Sequence, residues 1–68
     1  MSNGDKNYQH MVVIEVPITD ELVLRAVCHT EGGQPAVFND SPPAELLAAQ
    51  LREKNPAGIY RVIGFQVL

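Results

Sequence analysis

Apolar and polar positions along this 68-residue chain follow two different periods. Most of the chain alternates with the period of two that puts successive strand side chains on opposite faces. One stretch repeats at three and four residues, the period of a helix face. The first strand is expected from Gln9 to Val16, where Met-Val-Val-Ile-Glu-Val is rich in β-branched residues. Pro17 ends it because proline has no ladder N–H, and residues 17–20 read as a turn. The second strand is expected from Glu21 to Thr30. Leu22, Leu24, Ala26 and Cys28 form its core face, and Glu21, Val23, Arg25, Val27 and His29 the other. A helix over Asp20 to Ala26 capped by Asp20 competes with this. Val23, Val27 and the Gly32-Gly33 stop favour the strand.

Thr30-Glu31-Gly32-Gly33-Gln34 predicts a tight turn, since paired glycines supply positive φ. A short third strand follows from Pro35 to Asn39, with the proline at an edge or at its first residue. The helix opens at Ser41-Pro42-Pro43-Ala44-Glu45 and runs to Lys54. Ser41 is the expected N-cap, Pro42 the first helical residue, and Glu45 a first-turn acid. Arg52 and Lys54 suit the other terminus, Asn55 the left-handed cap, and Pro56 cannot continue. Ala44, Leu47, Ala48 and Leu51 make one buried stripe, leaving Leu46 partly exposed. The last strand, Gly58 to Val67, is apolar on both faces and is expected inside the sheet. Gly64 marks a bulge or a close backbone approach there.

The expected fold is α+β: a three- to five-stranded, mainly antiparallel sheet with one helix on one face, in β-β-β-α-β order. A helix of about 13 residues is roughly 20 Å long and covers two or three strands on one face only. The uncovered face would carry some of Met11, Val13, Val23, Val27, Ile59, Ile63 and Phe65, interrupted by Glu15, Arg25 and Arg61. A contiguous apolar patch of that kind points to an interaction surface.

Composition narrows the picture. A chain this short makes one domain, set at residues 11–68, with residues 1–10 as a flexible N-terminal segment. Such a domain is marginally stable unless something assists it. Cys28 is the only cysteine, so no internal disulfide forms, and a single thiol without an apolar leader fits a reducing cytoplasm. No run of about 20 apolar residues is present to span a membrane. The net charge is −3 and unevenly placed. Glu15, Asp20, Glu21, Glu31 and Asp40 face Arg25 alone in residues 11–40, whereas residues 41–68 are slightly basic. That balance disfavours nucleic acid as a direct partner and favours a basic protein surface.

Candidate chemistry is sparse. Cys28 and His29 are neighbours, but on a strand they face opposite ways and cannot act as a nucleophile–base pair. His10 approaches His29 if the first two strands pair, yet two histidines without a third ligand make a poor metal site. Gly32-Gly33 lacks the strand–loop–helix setting of a phosphate cradle. Tyr8, Phe38, Tyr60 and Phe65 lack the basic company of a base-stacking platform. No catalytic, cofactor or metal residue is therefore assigned.

Length, charge sign and the element order from Val12 to Leu68 resemble small phage-encoded inhibitors, particularly some type I anti-CRISPR proteins. The resemblance rests on no diagnostic residue, so it carries over no residue role. It implies a protein of the host cytoplasm that binds a CRISPR effector complex and blocks DNA access or nuclease recruitment. The residues themselves point to a non-catalytic protein-binding module. Its contact residues would be Glu15, Asp20, Glu21, Val23, Arg25, Val27, Glu31 and Asp40, with free carboxylates occupying basic sites meant for phosphates. The alternative is a homodimeric structural domain of a small bacterial protein with no inhibitory role.

Overall fold

The computed structural model describes residues 8–67. It is α+β, with strands β1 (Tyr8–Pro17), β2 (Val23–Val27) and β3 (Val37–Phe38), helix α1 (Ser41–Lys54) and strand β4 (Ile59–Gln66). The β-β-β-α-β order and the single helix are those expected from the sequence. All pairings in the four-stranded sheet are antiparallel.

β1 is the axis of the sheet. One of its edges pairs with β4 along eight positions, from Tyr8↔Gln66 to Glu15↔Ile59. Its other edge is shared end to end: His10 and Met11 pair with β3, and Val13–Pro17 pairs with β2. Two expectations are corrected here. β4 is an edge strand and β1 the interior one, because β4 finds no partner but β1 among the described residues. Residues 8–10 belong to β1, so the domain starts before Met11. Residues 1–7 of the expected flexible segment, and Leu68, lie outside the described residues.

The change of partner on β1 occurs at Val12. Its N–H donates to Ala36 O at 3.0 Å, its C=O accepts from Cys28 N at 2.9 Å, and Ala36 N donates to Cys28 O at 2.8 Å. Three segments thus meet in a closed triangle of backbone hydrogen bonds. The chain between them forms a small arm, with an isolated bridge between His29 and Pro35. Its turn is closed by Thr30 N to Gln34 O, and Gly33 holds φ 82°, the left-handed region expected of the glycine pair.

The helix spans the expected residues, but its caps differ. Asp40 is the N-cap, without a side-chain cap bond, so Ser41 is the first helical residue and Glu45 falls beyond the first turn. Pro42 and Pro43 still occupy positions whose N–H groups have no intrahelical acceptor. Asn55 closes the other end by donating its N–H to Leu51 O, at φ −138° rather than in the left-handed region.

Ala44 and Ala48 are fully buried against Val12 and Ala36, with Leu47, Leu51, Cys28, Phe38 and Val62 packed around them. Small residues on the helix let it sit close to the sheet. α1 packs on β4, β1 and β3. Tyr60 is buried on the same side, and its hydroxyl accepts from Asn55 Nδ2 at 3.1 Å. A Cβ on Gly58 would come within 2.6 Å of that ring, so the glycine is there for space. On the opposite face of the sheet Val13 is only 2% exposed.

Candidate protein-contact site

β2 is exposed at all five positions, although four of its five residues (Val23, Leu24, Ala26 and Val27) are apolar. The face holding Leu22, Leu24, Ala26 and Cys28 is the helix side, as the alternation indicates. Only Cys28 lies against the core, and Leu24 is 53% exposed. The reason is the reach of α1, which lies over the β4–β1–β3 part of the sheet. Val16, Ile18, Leu22, Val23 and Leu24 therefore form an exposed apolar hairpin end. Its turn is tied down by Thr19, whose Oγ1 accepts from Glu21 N at 3.2 Å and Leu22 N at 3.1 Å. Among the described residues the outer edge of β2 has no pairing strand.

Hydrogen bonding fixes what that edge offers. Cys28 N and Leu22 O bond back across the hairpin, to Val12 and Ile18. Because these roles alternate along an antiparallel pair, Val23, Arg25 and Val27 direct their N–H and C=O outward. This is the template that an added strand requires.

The far face of the hairpin is organised by Glu15. Its Oε2 accepts from Arg25 Nε at 2.9 Å, and its Oε1 meets Arg61 Nε at 3.1 Å. Glu15 faces Arg25 directly across β1 and β2, and Arg61 lies on β4 two residues beyond Ile59, the residue opposite Glu15. The carboxylate side chain is 11% exposed, whereas both arginines are more than half exposed. The hydrogen bond from Arg25, and then that from Arg61, hold the Glu15 carboxyl below its ordinary range.

The structure brings together four of the eight residues proposed from the sequence. Glu15, Val23, Arg25 and Val27 share the far face of the hairpin. Asp20 and Glu21 lie at its exposed tip. Glu31 and Asp40 lie elsewhere. Glu31 is on the arm, lining a cleft of about 540 Å³ against Phe38, Leu47 and Lys54. Asp40 caps α1 beside a smaller cleft lined by Tyr8 and His10. His29 lines the first cleft and His10 the second, so the two histidines do not meet. Among the described residues no three His, Cys, Asp or Glu side chains gather as a metal site would need. Burial raises the Cys28 thiol above its ordinary value.

Val16, Ile18, Leu22 and Leu24 are exposed apolar residues that the sequence pattern assigned to the first strand, the turn after it and the core face of the second strand. The signal for them was present: one helix cannot reach across a sheet this wide. Compared with protein-family models, with curated proteins and with solved structures, the chain matches none.

Proposed function

We propose that this chain is a non-catalytic protein-binding module that contacts its partner through the β1–β2 hairpin. The observation that carries this is β2 itself: an apolar strand exposed on both faces, with three outward-facing residues on an open edge. Large exposed apolar area of this kind is costly in water and marks contact surfaces. A partner strand added to the edge, with side chains against Leu22 and Leu24, would satisfy the backbone and cover the apolar area together.

The decisive variant is Leu24→Asp. It changes an exposed side chain and leaves the core intact. In affinity capture from a cell lysate, a discrete protein retained by the wild-type chain should be released by this variant. An identical set of captured proteins would remove the hairpin as the contact.

A narrower reading makes the partner a nucleic-acid-processing complex, such as a CRISPR effector, inhibited by carboxylates that stand in for phosphates. Asp20 and Glu21 support it, since both are exposed at the tip of the same hairpin. Glu31 is separated from them by the length of β2, roughly 20 Å of strand. Charge reversal at Asp20 and Glu21 should therefore weaken inhibition of DNA binding by the complex, and reversal at Glu31 should not. Full DNA binding by a type I effector complex in excess wild-type protein would remove this reading.

A further inference from the structure

The other edge of the sheet, along β4, also has no pairing strand among the described residues. Val12 turns its N–H and C=O toward Ala36 and Cys28. The odd-numbered residues of β1 therefore bond to β4, and Tyr60, Val62, Gly64 and Gln66 face outward on β4. Arg52 closes this edge at one point, its Nη2 donating to Tyr60 O at 2.7 Å. Beyond that point Val62–Gln66 contains no charged residue and no proline. Among the described residues it has no pairing strand. Charges, prolines and covers are what keep edge strands from meeting.

We infer that this stretch pairs antiparallel with the same stretch of a second copy, the two-fold axis passing between the two Gly64 residues. Gly64 then faces Gly64, Val62 faces Gln66, and Ile63 faces Phe65 of the other copy. The outward groups of Val62, Gly64 and Gln66 all find partners, in about six backbone hydrogen bonds. The two Ile63–Phe65 pairs join a β-branched to an aromatic residue, a favourable cross-strand combination. Both residues are only half-buried in the single copy. A register centred on Val62 or Ile63 would need Tyr60 O, which Arg52 already occupies. One centred on Phe65 leaves Val62 without a partner among the described residues. Gly64 is the centre that uses the whole open edge.

Charge agrees with this register. The two Arg61 residues lie six positions apart along the pair, roughly 20 Å, more than two Debye lengths at physiological salt. The contact is small: five residues a side against the ~20–30 of a standard interface, so the dimer is weak and reversible. It lies on the opposite edge from β2 and does not depend on the hairpin reading.

Sedimentation equilibrium of the full chain from about 10 μM to about 1 mM spans the range in which so small an interface associates. The average mass should rise toward twice the monomer value. Gln66→Pro removes one outward N–H, leaves the β1 ladder untouched, and should stay monomeric throughout. Leu24→Asp, on the other edge, should associate like the wild type. Hydrogen exchange at the Val62 and Gly64 amides of the wild type should slow several-fold at the higher concentration. A wild-type monomer at the top of the range overturns the inference. So does exchange at Gly64 that is independent of concentration, or association kept by Gln66→Pro and lost by Leu24→Asp. Should Gln66→Pro fail to fold, the wild-type exchange at Gly64 decides by itself.

Discussion

Arg52, in the last turn of the helix, reaches across to the outer edge of the sheet and donates to the carbonyl of Tyr60 at 2.7 Å. The bond joins α1 to β4 at a carbonyl that no strand among the described residues satisfies. A partly buried bond from a charged donor contributes about 1–2 kcal/mol, and Arg52→Ala should lower stability by that amount in urea unfolding. The same change should extend the open edge of β4 by one outward residue. The Tyr60 ring and its Asn55 partner should stay in place.

Gly58 carries the next expectation. An added Cβ would lie 2.6 Å from the Tyr60 ring and 2.9 Å from Asn55 Nδ2. Tyr60 is buried and cannot swing aside. Gly58→Ala should cost about 1–3 kcal/mol by overpacking, measured as a lower urea midpoint at constant slope. Gly64→Ala provides the contrast. Its clash is with the far end of Tyr8, which is exposed and free to move, so the loss should be smaller.

Apolar residues on the two halves of the sheet should respond in opposite ways. Val12→Ala empties part of a fully buried site and should cost on the order of 2 kcal/mol. Leu24→Asp alters an exposed side chain and should change stability by no more than about 0.5 kcal/mol. Equal losses from the two would mean that β2 is covered in the isolated protein.

The Glu15 cluster sets a pH dependence. The folded-state pKa of Glu15 lies below its ordinary 4.5, so folding favours the ionised form. The stability it contributes is complete above that ordinary value and is lost as pH falls through the lowered one. Unfolding curves between pH 7 and pH 2 should show this fall. In Glu15→Gln the slope of stability against pH should shrink by up to about one proton. An unchanged slope would mean that the two arginines do not hold the carboxylate in solution.

Much of the fold was legible because its signals are local. The helix span follows from Ser41-Pro42-Pro43 and Asn55-Pro56, and Leu46 is 61% exposed, as its place off the buried stripe implies. The turn at Thr30–Gln34 follows from its glycines. Strand order was not legible, because it depends on which segments meet over long separations. β4 reads as interior from its apolar content, but half of that content faces the helix and the rest lies on a half-covered face. The candidate site divides in the same way. Alternation alone puts Val23, Arg25 and Val27 on one face of β2, and the pairing register with β1 brings Glu15 to it. Glu31 and Asp40 sit on loops whose positions are set by the Val12 triangle and the helix start, which no local pattern encodes.

β1 holds every other strand, and its longest partner is the strand farthest from it in sequence. During synthesis β1 can gain β2 and β3 early, but its β4 edge and the underside of α1 stay open until β4 has emerged. The domain therefore closes in one late, long-range step rather than by stepwise growth, which slows folding for a chain of this size. In that interval Met11, Val13 and Glu15 present an unpaired strand edge, the species most exposed to misassociation.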